Sequence, residues 1–213
     1  MTGILELDDA AVAWSEPASA LGERPLIVLL HGRGSNEHDL MQLAPLLVAG
    51  AVYAAPRAPL AFMPGASYTW FPPAEPGLPD PDAAAAATRG ILSWLDRLAP
   101  RGPVAVVGFS QGGALATHLM RFDPERFVAF VNLSGFVIAA DAPADDRLGA
   151  LRPAMFWGRD VADPVIPEAA TDATERWLPT RSTLTRRRYE GVGHGISMDE
   201  VLDVRAFLES QLA

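Results

Sequence analysis

Residues 104–113 read Val-Ala-Val-Val-Gly-Phe-Ser-Gln-Gly-Gly, and no other stretch of the chain restricts its fold so strongly. Val104-Ala105-Val106-Val107 offers apolar side chains to both faces of a strand, the mark of a central parallel strand covered on both sides. A segment of helical period, Gln111–Phe122, follows with room for only a tight turn. The chain must therefore reverse at Ser110. So sharp a strand-to-helix reversal forces the apical residue into a strained backbone conformation and exposes its hydroxyl. Glycines two residues to either side, Gly108 and Gly112, remove the side chains that would collide across the turn. A G-x-S-x-G pattern in this strand–turn–helix context marks a nucleophilic serine.

The rest of the chain repeats that alternation. Short apolar or β-branched runs at Leu26–Leu30, Val52–Ala55, Phe127–Leu133, Ala154–Trp157 and Thr183–Tyr189 join Val104–Phe109 as predicted strands. Helical stretches lie between them, which predicts an α/β fold with a mostly parallel central sheet and helices on both faces. Asp82 is a candidate cap for a helix with Ile91, Leu95 and Leu98 on one face, stopped by Pro100 and Gly102. A second helix, Pro167–Leu178, places Ala169, Ala173 and Trp177 on one stripe and ends at Pro179. The last opens with the capping box Ser197-Met198-Asp199-Glu200 and buries Val201, Val204, Leu208 and Leu212. At 213 residues the chain suits one domain, 1–213, because chains divide only beyond roughly 250–300 residues.

Residues 58–81 break the pattern. Pro59, Pro64, Pro72, Pro73, Pro76, Pro79 and Pro81 forbid a regular helix or central strand there. Phe62, Tyr68, Trp70 and Phe71 argue that this long connection is ordered and functional.

Composition removes several classes of function. The net charge is −9, with 26 acidic against 17 basic residues, so counterion release cannot drive binding to nucleic acid. Arg186-Arg187-Arg188 lies in a predicted strand whose alternation splits the side chains between faces, which reads as a solvated sheet edge. There is no cysteine, hence no thiolate nucleophile, disulfide or thiolate metal site. No histidine pair has ligand spacing beside an acid, so no metal site is expected. The first residues are acidic where a signal peptide is basic, and the run Leu26–Leu30 is far short of the ~20 residues of a membrane span. A cytoplasmic protein without integral membrane association is expected.

A serine hydroxyl needs a base oriented by a third group. His118 lies eight residues beyond Ser110 on the same helix, about 12 Å along the axis, and cannot reach it. His31 and His38 precede the serine, whereas this architecture orders its groups serine, acid, histidine. His194, in Gly191-Val192-Gly193-His194-Gly195, remains. The acid belongs between them, after the strand Ala154–Trp157, where Asp160 and Asp163 compete. Asp163, next to the turn and helix opening where backbone N–H donors gather, is favoured. The oxyanion donors should be the N–H of Gln111 and an N–H of the loop Leu30-His31-Gly32-Arg33-Gly34-Ser35, with Arg33 the candidate. His31 reads as a scaffold for that loop.

Leu29-Leu30-His31-Gly32-Arg33-Gly34, Gly108-Phe109-Ser110-Gln111-Gly112-Gly113, Asp163-Pro164-Val165-Ile166-Pro167 and Gly193-His194 resemble the phospholipase/carboxylesterase family of α/β-hydrolases, which also holds the acyl-protein thioesterases. The motifs follow the family's order over nearly the whole chain. The resemblance implies an α/β-hydrolase fold without a large separate lid domain. It also implies cofactor-free hydrolysis of carboxylic esters with small or medium acyl chains through an acyl-enzyme. The substrate would be a small-molecule ester or thioester. Carried over, it makes Ser110 the nucleophile, Asp163 the acid, His194 the base, and the N–H groups of Arg33 and Gln111 the oxyanion hole. Trp70 is the expected pocket aromatic, as the family has one in a comparable loop. Phe136, after a strand's C-terminal end, lies where open α/β sheets place ligands. Two departures stand out. Many members carry Leu at the position of Arg33, which bears on substrate preference, and the loop from Gly158 to Asp163 is longer, which keeps Asp160 as the alternative acid. Alternatives in function are an acyl thioesterase or lysophospholipase, and a catalytically silent binding protein of hydrolase fold.

Overall fold

In the computed structural model, which describes residues 3–63, 65–72 and 78–213, each stretch of alternating or continuous apolar residues becomes a strand of one sheet or a helix packed on it. Along the chain run β1 (Val12–Trp14), β2 (Leu26–Leu30), β3 (Val52–Pro56), β4 (Leu60–Met63), β5 (Ser67–Thr69), α1 (Pro81–Leu98), β6 (Val104–Phe109) and α2 (Gln111–Phe122). There follow β7 (Ala129–Leu133), α3 (Asp145–Leu151), β8 (Ala154–Asp160), α4 (Glu168–Arg181), β9 (Thr183–Tyr189) and α5 (Met198–Leu212). Seven strands pair in the order β1-β3-β2-β6-β7-β8-β9. All pairs are parallel except β1 with β3.

Strand alternation sorts the core into two layers. Val28, Leu30, Val106, Phe130 and Trp157 face Ile91 and Leu95 of α1, Leu115 and Leu119 of α2, Leu148 of α3 and Leu178 of α4. Ile27, Leu29, Val107, Val131 and Phe156 face Val201, Val204 and Leu208 of α5 and the 3-10 segment Leu40–Leu46. The register brings Leu30 beside Gly108, Phe109 beside Leu133, Leu133 beside Gly158, and Asp160 beside Tyr189. The C-terminal ends of β2, β6, β7, β8 and β9 therefore open on one edge of the sheet, where such folds bind ligands. Among the described residues there is no separate lid domain, and no helix is long and apolar enough to cross a membrane.

The structure corrects the sequence reading at several points. The cap of α1 is Asp80, which accepts from the N–H groups of Asp82 and Ala83, because Pro81 is suited to the first helical position. The helix α4 continues through Pro179 to Arg181, since a proline in the last turn forfeits only one intrahelical bond. Its buried stripe is Thr171, Thr174 and Leu178, one register away from the one expected; Thr174 Oγ1 donates to Ala170 O and accepts from Val137 N, so its burial leaves no unmade bond. Residues 58–81 contain the antiparallel hairpin β4–β5, lying apart from the main sheet, where flanking prolines do no harm. Pro64, Pro73 and Pro76 lie outside the described residues. β8 runs three residues past Trp157, so that Asp160 is the last residue of a strand and not a loop residue.

The arginine run behaves as alternation requires. β9 is the sheet edge; Arg186 and Arg188 pair with Glu175 of α4, and Arg187 on the opposite face pairs with Asp203 of α5.

Candidate active site

Ser110 occupies a left-handed conformation, φ 54° and ψ −114°, between β6 and α2. Its N–H donates to Leu133 O at 2.8 Å, and its own carbonyl accepts the N–H of Ala114 to begin the helix. A Cβ at Gly108 would stand 2.0 Å from Gly112 O, and one at Gly112 would stand 1.9 Å from Leu30 O. The elbow thus packs backbone on backbone, which fixes the hydroxyl relative to the edge of the sheet.

His194 follows β9 in a turn that Gly191 and Gly193 permit through φ of 75° and 65°. Its Nε2 lies 2.9 Å from Ser110 Oγ, and its Nδ1 lies 2.8 Å from Asp163 Oδ2. The ring packs on Phe109, centroids 5.0 Å apart. Asp163 is fixed in turn, since its Oδ1 accepts from Val165 N at 2.8 Å and Ile166 N at 3.2 Å. A carboxylate at Nδ1 holds the proton on that nitrogen and leaves Nε2 free to accept the serine proton. Asp163 and the imidazole are 4% and 16% exposed, so the hydrogen-bonded chain lies largely out of water, where such bonds are electrostatically stronger.

Asp160 does not face the imidazole. Its carboxylate accepts from the N–H groups of Ala162, Val192 and Gly193. The Ala162 N–H above all, aided by the other two, holds the carboxyl below the usual carboxylate range. Of the remaining histidines, His118 is buried beside Phe122 with Nδ1 2.8 Å from Thr88 Oγ1, and burial pushes it down to about 3. His38 is exposed beside Glu37. His31 is buried under the loop after β2: Nε2 accepts Ala58 N at 3.1 Å, so the proton sits on Nδ1 and reaches Gly32 O at 2.8 Å.

That loop closes over Ser110. A Cβ at Gly32 would come 3.5 Å from Ser110 Cβ. The main-chain N–H groups of Arg33 and Gln111 have no acceptor among the described residues. The exposed Arg33 guanidinium sits 5.8 Å over the Phe62 ring of β4. Below, Glu37 is ion-paired with Arg57, which stacks on Tyr68, and the guanidinium holds the Glu37 carboxyl down at about 2. The loop is therefore tied to both β3 and the hairpin.

Trp70 corrects the sequence expectation. It has no exposed surface and cannot serve as a pocket wall; its indole N–H donates to His31 O at 2.9 Å and its ring packs on the His31 imidazole. Its backbone N–H and the Thr69 hydroxyl both reach Gln111 Oε1, while Gln111 Nε2 donates to Phe71 O. The side chain of Gln111 thus fastens the end of the hairpin to the elbow. The sequence assigns Gln111 only its N–H; the partners of its side chain lie 40–42 residues away and carry no local signal. Phe136 is 6% exposed and belongs to the core layer under α1–α4. A groove of about 300 Å³ opens beside the imidazole, lined by Asp39, Leu40, Gln42, Leu43, Phe109, His194, Gly195 and Ile196. Among the described residues no cluster of three His, Asp or Glu side chains could hold a metal ion.

Ser110 Oγ, the His194 imidazole and the Asp163 carboxylate thus form one hydrogen-bonded series beside the N–H groups of Arg33 and Gln111. Comparison with known proteins agrees in fold. The profile of the Phospholipase/Carboxylesterase family matches residues 16–212. NocK of Nocardia uniformis subsp. tsuyamanensis, named as an esterase, is 32% identical over 72% of this chain and 44% of its own length. Acyl-protein thioesterase 1 of Eremothecium gossypii is 28% identical over 53% of this chain and 49% of its own. The chain thus spans about half the length of these relatives. The crystal structure of esterase PE8 superposes with a TM-score of 0.79 at 26% identity, covering 97% of this chain and all of that one.

Proposed function

The chain belongs to the phospholipase/carboxylesterase family, and on that premise we propose that it is a serine carboxylesterase acting through Ser110, His194 and Asp163. The observation that carries this reading is the unbroken hydrogen-bonded series from Ser110 Oγ through His194 to Asp163, with links of 2.9 and 2.8 Å. His194 Nε2 removes the proton of Ser110 as Oγ bonds to the ester carbonyl carbon. The carbonyl oxygen, now negative, accepts from the N–H groups of Arg33 and Gln111, each such donor contributing roughly 3–4 kcal/mol to the barrier's lowering. The imidazolium, stabilised by Asp163, gives its proton to the departing alcohol. Water then adds to the acyl-enzyme with His194 again as base, and collapse of the second oxyanion returns the proton to Ser110.

The substrate is a small-molecule ester, and the groove beside the imidazole offers it room. The likeness to an acyl-protein thioesterase favours thioesters as the second reading. A silent binding protein would have no use for a strained serine aligned with an imidazole, so that reading lacks support. The test is a p-nitrophenyl ester series from acetate to laurate, with acyl-CoA thioesters in parallel, run on wild type and Ser110→Ala. Ester turnover that vanishes in Ser110→Ala supports the proposal. Turnover surviving the substitution, or none with any substrate in folded wild type, refutes it.

A further inference from the structure

We infer that Asp160 is a positioning residue for the acyl transfer, holding the turn that carries His194 against the end of the strand that leads to Asp163. This rests on the Ser110–His194–Asp163 reading. β8 and β9 run parallel as far as Asp160 and Tyr189, and the Val161 N–H adds one more bond to Tyr189 O at 2.9 Å. Beyond it the two chains part, one toward Asp163 and the other toward His194. The Asp160 carboxylate, 2% exposed, fills the fork. Its Oδ1 accepts Ala162 N at 2.7 Å on the acid side; its Oδ2 accepts Val192 N at 2.5 Å and Gly193 N at 2.9 Å on the histidine side. One buried carboxylate thus sets the departure of both loops.

The histidine turn has little else to fix it. Gly191 and Gly193 sit at positive φ without side chains to pack, which leaves their backbone free to take other conformations. A charged oxygen receiving two N–H groups is among the stronger local restraints available. Every group that reaches Asp160 is a donor, so an amide in its place would turn one NH2 toward another N–H. Gly193 immediately precedes His194, and any shift of the turn moves the imidazole against Ser110 Oγ and Asp163 Oδ2 together. Misplacement of a reacting group by about 1 Å costs on the order of 10²-fold in rate.

The experiment compares Asp160→Ala and Asp160→Asn with wild type. It measures p-nitrophenyl acetate kinetics, thermal midpoints, and amide hydrogen exchange at Val192 and Gly193 by NMR. In the folded alanine variant kcat falls roughly 10–100-fold while KM moves less, because Leu40, Leu43 and Phe109 of the groove lie outside the displaced turn. The two amides exchange faster, and Asp160→Asn, which keeps one acceptor oxygen, lies between. A general loosening of the fold would instead move KM and the midpoint with kcat. A kcat unchanged in either folded variant, or unchanged protection at Val192 and Gly193, overturns the inference. Turnover persisting in Ser110→Ala strikes the triad reading instead, and the exchange measurement then decides the role of Asp160 in holding the turn.

Discussion

Glu200 sits in the first turn of α5, where its N–H donates to the Ser197 hydroxyl, yet its carboxyl turns inward and is 1% exposed. Oε1 has no partner among the described residues and abuts the backbone of Gly158, where an added Cβ would stand 2.1 Å away. Burial pushes the carboxyl up to about 7; the Ser197 N–H opposes this and Asp203 adds to it. The folded chain therefore holds this proton more tightly than the unfolded chain, whose value is 4.5. Its contribution to stability is fully present below 4.5, declines as pH rises, and is gone above about 7. The interval from 4.5 to about 7 corresponds to about 3 kcal/mol. Glu200→Gln removes the titration while keeping the shape. Urea unfolding of both proteins across this range should show the variant gaining about 3 kcal/mol on wild type from the acid end to the alkaline end. Any fixed cost of burying the amide appears equally at every pH, so the signature is the changing difference. Parallel stability curves for the two proteins would refute the argument.

Asp163→Asn should leave the fold intact and lower kcat by about 10⁴-fold, read in steady-state ester hydrolysis, because the imidazole loses its orienting acceptor. Gly112→Ala forces a methyl against Leu30 O and should cost at least ~1–3 kcal/mol in chemical denaturation, with loss of turnover as the elbow shifts. Trp70→Phe keeps one aromatic ring but leaves a gap and strips His31 O of its donor, for a loss of at least ~1–3 kcal/mol by the same assay. His118 is held neutral chiefly by burial, so its contribution is present above the histidine value of 6.5 and lost as pH falls toward about 3. His118→Gln should therefore flatten the acid side of the stability curve by several kcal/mol, measured by urea unfolding.

Local chemistry made much of this molecule legible from its residues. The doubly apolar run 104–107 could only be a central strand, and the glycines around Ser110 could only serve a tight reversal. His194 followed from eliminating histidines by distance and order. What escaped depends on partners far apart in sequence. The competition between Asp160 and Asp163 turns on which backbone amides face each carboxylate, and those of Val192 and Gly193 arrive only when β9 pairs with β8. Trp70 is expected at the pocket because the resembling family has an aromatic in a comparable loop; that it lies inside, bonded to His31 O, is a fact of packing. The inward turn of Glu200 was hidden for the opposite reason. Its sequence context is a sound capping box, and that local logic gives no hint of what lies beneath the helix.

The grip of Gln111 on residues 69–71 has a consequence for how this scaffold can diversify. The residue that follows Ser110 at the start of α2 is also the fastener of the hairpin beside it. Any change that reshapes the hairpin must preserve the acceptors and donors at Thr69, Trp70 and Phe71 or disturb the elbow itself. Designs that alter the hairpin would thus do better to vary the outer positions, Phe62 and Met63, which lie away from that fastening, and leave the 69–71 backbone as a fixed frame.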